Sequence, residues 1–144
     1  MKKRWVLFLT ILLCACTSTS YPHIQLEKKV TLSLFYVQTC PQCHEIEDNV
    51  IPMLKEVFKD QIVIHQYDLD DEHIVDVYDP IIDSLVDFDE EFYGNGPFIV
   101  LEGYFAVLGY TEGDEEFLIE DIQKAVKDEQ LGYELEGRRF LYKQ

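Results

Sequence analysis

The order of apolar patterns along this chain predicts an α/β domain with a central mixed sheet of about four strands flanked by helices. Three observations carry that reading. Residues 30–37 form a β-type run in which Val30, Leu32, Leu34 and Tyr36 alternate with Thr31 and Ser33. A helical stripe follows at Ile46, Val50, Leu54 and Val57, and then a second β-type run at 62–67. A β–helix–β order of this length implies a parallel strand pair with a right-handed crossover. Two later runs, 98–101 and 104–108, meet at Glu102-Gly103, which is a hairpin signal and adds antiparallel strands.

Each element has its own local signature. Phe35 and Val37 fill the second face of the first strand, so its end is apolar on both sides and belongs inside a covered sheet. The helix that starts near Pro41 carries Met53 and Phe58 beside its stripe, with Pro52 inside it as a predicted kink. Residues 68–78 are acidic and read as a loop with a short helical piece. Asp79-Pro80 reads as a helix start, a cap followed by a first-turn proline, with Ile82, Leu85, Phe88 and Phe92 marking the helix face. Tyr93-Gly94-Asn95-Gly96-Pro97 breaks that helix. The last helix opens on the acids at 112–116 and closes on Lys124 and Lys127, which suits its dipole, and Leu118, Ile122 and Ala125 form its apolar face. Residues 131–144 carry no readable pattern, and no repeat or second domain boundary is evident.

The first residues read as a targeting segment. Lys2, Lys3 and Arg4 precede a largely apolar run at 5–13, too short to span a bilayer and suited to a signal-peptide core. Leu13-Cys14-Ala15-Cys16 resembles a bacterial lipobox. That resemblance implies that Cys16 is the lipidated first residue of the mature protein and that Cys14 is discarded. An ordinary secretory signal with incidental cysteines is the alternative. The expected organisation is a signal peptide at 1–15, a lipid-anchored tether at 16–29, a folded domain at 30–128 and a C-terminal tail at 129–144.

Composition narrows the partners. Hydrophobic residues make up 47% of the chain, enough for a folded core. The formal charge is −16, and it becomes −19 once the three basic residues of the leader are set aside. Nucleic acid is excluded as a partner, because binding it takes a basic face. Residues 68–91 hold 11 carboxylates, and no lysine or arginine occurs between Lys59 and Lys124. Selection of basic partners, weak calcium binding and a merely solvated face all fit this density. Asp68-Leu69-Asp70-Asp71-Glu72 lacks the full spacing of a calcium loop.

The chemistry-bearing stretch is Cys40-Pro41-Gln42-Cys43. It lies where a strand gives way to a helix, so both thiols sit by a helix N-terminus. The unpaired N–H groups and positive dipole end there favour a thiolate, the species that thiol–disulfide exchange requires. Together with the strand end Phe35-Tyr36-Val37-Gln38-Thr39, with Pro97 directly before a strand, and with the closing hairpin and helix, the motif resembles the thioredoxin superfamily over about residues 30–127. The resemblance implies a thioredoxin-like fold and a thiol–disulfide oxidoreductase acting on exported or envelope proteins. Cys40 would attack, Cys43 would resolve the mixed disulfide, and Pro97 would be a cis-proline facing the pair. Pro41, Gln42, Gly96 and Pro97 would line the substrate groove. No cofactor or metal is implied. The expected partners are protein thiols and disulfides and, through the lipid, a membrane; the chain is expected to be a monomer.

The chain departs from the family pattern at Leu34, where a buried carboxylate is common, at Thr39, where tryptophan is common, and at Gln42. Other readings of the motif stay open. Cys40-Pro41-Gln42-Cys43-His44 also fits c-type haem attachment, with His44 and Met53 as axial ligands of an electron carrier. Cys40 and Cys43 with His44, His65 or His73 could form a zinc site, though no second such cysteine pair supports it. His44 could instead tune the thiols or be a solvated residue. Finally, the chain could be a non-catalytic acidic interaction module.

Overall fold

The computed structural model describes residues 21–144. The expected signal peptide, with Cys14, and the expected lipidation site Cys16 lie outside the described residues. The chain forms a mixed α/β fold built on one five-stranded sheet in the order β2-β1-β3-β4-β5. Strand β1 (Val30–Tyr36) runs parallel to β2 (Ile62–Asp68), with Val30 opposite Ile62. It runs antiparallel to β3 (Phe98–Leu101), with Phe35 opposite Phe98. The β3–β4 hairpin (β4, Phe105–Leu108) turns at Gly103, whose φ of 79° is open to glycine at little cost.

The two faces of β1 feed two cores. Leu32 and Leu34 point into a core shared with Val50, Leu54, Val57 and Phe58 of the first helical run and Leu118 and Ile122 of the last helix. Phe35 points to the opposite face, where it joins Tyr78, Phe98, Val100 and Ala106. Aromatic rings dominate this second core: Phe35 and Tyr78 lie 5.0 Å apart edge to face, and Phe88 lies 5.7 Å from Phe98 and 5.0 Å from Phe140. Such pairs add about 0.5–1.5 kcal/mol beyond burial. The abundant Phe and Tyr are therefore largely packing groups.

The first helical run departs from a simple kinked helix. It consists of α1 (Pro41–Glu45), a π-helical turn (Ile46–Val50) and α2 (Ile51–Phe58). Pro52 has no N–H and its ring would collide with a carbonyl four residues back. The wide turn removes that conflict: the Ile51 N–H donates five residues back to Ile46, and Pro52 falls in the first turn of α2, where a missing N–H costs little.

Three expectations need correction. Asp79-Pro80 does not start a helix; α3 spans Val75–Asp83 and holds Pro80 inside it. Tyr78, 1% exposed, anchors this helix on the sheet, and that burial outweighs one lost backbone bond. Leu85, Phe88 and Phe92 do not extend the helix face. Leu85 bridges Tyr142, and Phe92 ends a short 3₁₀ turn (Glu90–Phe92). Lastly, the sheet has five strands where about four were expected. The additional strand, β5 (Arg139–Leu141), comes from the unread C-terminal stretch and pairs with β4.

The C-terminal segment is held by a buried ion pair. In α4 (Asp114–Val126), Asp121 is 1% exposed. Its carboxylate accepts from Arg139 and from the Gly132 N–H at 2.8 Å. Arg139 also donates to the Gly132 carbonyl at 2.8 Å. Arg139→Ala is expected to lower stability by about 3–5 kcal/mol, because Asp121 would be left charged and buried without its partner. Asp121→Leu combined with Arg139→Met should recover most of that loss in urea unfolding. Equal stability of Arg139→Ala and the unaltered protein would show that the pair does not hold the segment.

Candidate functional site

Two chain segments meet at the C-terminal end of β1. Because β1 and β3 are antiparallel, the exit of β1 lies beside the entry of β3. The exit leads through residues 37–39 into Cys40; the entry is Gly96-Pro97. The Gly96–Pro97 peptide is cis, and Pro97 is buried. The carbonyl oxygen of Gly96 lies 3.9 Å from Cys40 Sγ. Gly96 eases this approach: a Cβ there would stand 3.3 Å from Leu69 Cδ1 and 3.4 Å from the Phe35 carbonyl oxygen, so the leucine would have to give way slightly. The structure thus brings Cys40, Cys43, Gly96 and Pro97 to one place.

The two cysteines differ in environment. Cys40 is the N-cap of α1 in an extended conformation and is partly exposed, whereas Cys43 is 1% exposed. Their sulfurs are at near-disulfide distance, with Cα atoms 5.3 Å apart. The Cys43 N–H donates to Cys40 Sγ at 3.2 Å, and the Cys40 carbonyl accepts from the Cys43 and His44 N–H groups. A cap sulfur that receives a helix N–H is stabilised as an anion, so this position supports a nucleophilic thiolate. Pro41 and Gln42 are exposed between the cysteines, where an incoming chain would meet them.

Contacts that no sequence pattern flagged brace the loop before the motif. Gln38 Nε2 donates to Asp68 at 2.7 Å, tying the loop to the end of β2. His44 Nε2 donates to the Gln38 carbonyl at 2.9 Å, and its Nδ1 lies 3.5 Å from Glu47. His44 is thus exposed and engaged with the loop. Asp68 also accepts from the Asp70 N–H, and the Leu69 N–H donates to the Tyr36 carbonyl, which sets Leu69 against Gly96. Tyr36 stands at this junction, and its hydroxyl pKa is raised by burial first and then by the Asp68 and Glu47 carboxylates. Apart from the His44–Glu47 pair, which sits at helical i,i+3 spacing, these contacts join residues at least six apart or involve the backbone, so periodicity could not reveal them.

The segment before Pro97 is fixed from α3. The Tyr93 hydroxyl donates to the Asp79 carboxylate, and the Gly94 N–H donates to the Tyr78 hydroxyl at 3.3 Å. The bond to Asp79, reinforced by burial, pushes the Tyr93 pKa up to about 12, so the phenol is neutral at physiological pH.

Other ligand sets named from the sequence do not assemble. Among the described residues no three His, Cys, Asp or Glu side chains converge as a metal site, so the cysteines do not gather with His44, His65 and His73. Met53 is 5% exposed inside the first core, while His44 lies at the surface, so the two do not face a common ligand. Leu34 is fully buried in the same core. Comparison with protein-family models, with curated proteins and with solved structures finds no match to this chain. The site is therefore defined by its own geometry.

Once reduced, Cys40 should be alkylated by iodoacetamide faster than Cys43, by roughly tenfold or more at pH 6, since only an exposed thiolate reacts readily. Mass spectrometry of the partly labelled protein reads the order directly. Preferential labelling of Cys43 would reverse the assignment of the two sulfurs.

Proposed function

We propose that this chain is an extracytoplasmic thiol–disulfide oxidoreductase with a thioredoxin-like fold, held at a bacterial membrane by a lipid on Cys16. The observation that supports it best is the asymmetric cysteine pair: a partly exposed cap sulfur receiving a helix N–H, a buried partner one turn on, and the Gly96 carbonyl alongside. The β–α–β–α–β–β–α order around the pair is consistent with the fold assignment.

The exchange balances as two thiol–disulfide steps. With the pair oxidised, a substrate thiolate attacks Cys40 Sγ, forms a mixed disulfide and releases Cys43 as a thiolate, which takes up a proton. A second substrate thiol loses its proton and attacks the substrate sulfur of that mixed disulfide. Cys40 leaves as the thiolate, and the substrate now holds the disulfide. Two electrons pass from substrate to protein. Run backwards, the same steps reduce a substrate disulfide, and the potentials of pair and compartment set the direction.

Cys43→Ser removes the resolving thiol and should accumulate covalent adducts of Cys40 with envelope proteins, dissolved by reducing agent. Cys40→Ser should trap far fewer, because Cys43 is buried. Non-reducing electrophoresis followed by mass spectrometry tests both; equal trapping overturns the order of attack, and no trapping overturns the exchange reading. The purified protein is expected to be colourless, and a Soret band with the added mass of one haem would replace this reading with electron carriage.

Cys16→Ser should shift the protein from the membrane fraction to the soluble envelope fraction while disulfide exchange persists. Unchanged fractionation would remove the lipid anchor from the proposal.

A further inference from the structure

A cleft of about 770 Å³ opens between the C-terminal end of α3 and the segment that leads to Pro97. Its floor is apolar, formed by Ile82, Leu85 and Phe88, and its rim carries Asp83, Asp87 and Glu90. We propose that this cleft docks a cationic, partly apolar segment of a polypeptide substrate, close in sequence to the cysteine that Cys40 engages. The identity of that substrate rests on the redox reading above; the docking itself does not.

Charge points to the occupant. The three rim carboxylates are exposed and have no basic residue nearby in the chain, since none occurs between Lys59 and Lys124. Among the described residues, Lys124, Arg138 and Arg139 are paired with Glu120, Asp114 and Asp121, all outside the cleft. Asp79, also on the rim, is engaged by the Tyr93 hydroxyl. The cleft already admits one ammonium group from the chain itself. Lys143 reaches the rim, and its Nζ donates to the Asp83 carbonyl oxygen at 2.6 Å, a backbone contact that leaves the rim side chains free.

The floor and the spacing decide between kinds of cation. The rim carboxylates do not converge as a metal site. Spread charges over an apolar floor suit lysine or arginine, whose stems cover apolar surface while their heads stay at the charged rim. Ile82 and Phe88 are half-buried and offer the apolar surface that side chains of the same segment can contact, while Leu85, 2% exposed, packs beneath them.

Position links the cleft to the cysteines. Tyr93 is on the rim and stands three residues before Gly96, a span of at most about 11 Å. Gly96 in turn contacts Cys40 Sγ through its carbonyl oxygen, at 3.9 Å. The Asp83 and Lys143 end of the cleft lies by the Leu85–Tyr142 bridge, at the other end of the sheet from Cys40, so a bound chain that follows the segment up to Gly96 reaches Cys40 after about six to ten residues.

The test uses the full chain and two cysteine-free fluorescent peptides of equal length, one with lysine and leucine among serines, the other with glutamate in place of lysine. Anisotropy should show binding of the lysine peptide, weakened by salt, and much weaker binding of the glutamate peptide. Asp83→Asn/Asp87→Asn/Glu90→Gln should weaken binding of the lysine peptide by roughly tenfold, the effect of losing three exposed charge contacts. Asparagine accepts the positive φ of 54° at position 87, so that exchange leaves the backbone in place. Glu27→Gln/Glu56→Gln/Glu116→Gln removes the same charge at exposed positions elsewhere and should change binding less than about twofold. Equal weakening by the two triple variants, or no preference for the lysine peptide, would overturn the docking. The same peptides bearing one cysteine as a mixed disulfide with 2-mercaptoethanol report exchange. Binding without exchange supports the docking and sinks the redox reading, whereas exchange without charge preference does the reverse.

Discussion

The site depends on one backbone constraint, the antiparallel register of β1 with β3. Phe35 opposite Phe98 places the exit of β1 beside the entry of β3. The exit becomes the motif loop and the entry begins at Pro97, so segments as far apart in sequence as Cys40 and Gly96, 56 residues, are forced together by strand pairing. A slip of one residue would move every side chain of β3 to the wrong face. Leu32 and Leu34 on one side and Phe35 on the other prevent that, because each face has its own core to fill. Burying such side chains is worth about 1.5–3 kcal/mol each, far more than any single contact within the site. The geometry of the cysteines is therefore secured by packing several residues upstream of them.

The elements legible in the sequence are those whose signal is local. The two faces of β1, the stripe at Ile46, Val50, Leu54 and Val57, the hairpin at Gly103 and the apolar face of α4 all follow from periodicity. The misread elements involve a competition that local patterns do not contain. Asp79-Pro80 matches a helix start, yet the helix begins at Val75 because Tyr78 is captured by Phe35 and Phe98 across the sheet. Strand β5 is three residues long and opens on an arginine. It carries no readable pattern until Asp121, 18 residues earlier on α4, supplies the counter-charge. In the site, the spacing of Cys40 and Cys43 and the Gly96-Pro97 break were legible. Gln38, Asp68 and Leu69 were not, because their roles arise from contacts across the top of the sheet.

Gly96 illustrates why a residue with no side chain can carry a site. From the sequence, Gly96 reads as one of the residues lining a substrate groove, with no role in packing. In the structure the small size serves the other direction: the backbone of this segment presses against Phe35, Tyr36 and Leu69, and only glycine allows it without displacement. The carbonyl oxygen that results lies 3.9 Å from Cys40 Sγ. The edge that this segment turns toward Cys40 is therefore a backbone edge.

Contact at this range also resolves an apparent conflict in the electrostatics. A chain of net charge −16 is a poor setting for a thiolate, since every carboxylate disfavours another negative charge. Distance and solvent decide the outcome. A carboxylate 10 Å away through water acts with about 0.4 kcal/mol, and salt at physiological strength screens it over about 8 Å. The Cys43 N–H is in direct contact with Cys40 Sγ at 3.2 Å and acts without screening. Asp68, whose carboxylate holds Gln38 of the motif loop, also accepts from the Asp70 N–H. Local hydrogen bonding can therefore stabilise the sulfur anion while the acidic surface acts at longer range, on whatever approaches. Carboxylates at such distances set the field that an approaching chain meets before any contact with the cysteines forms.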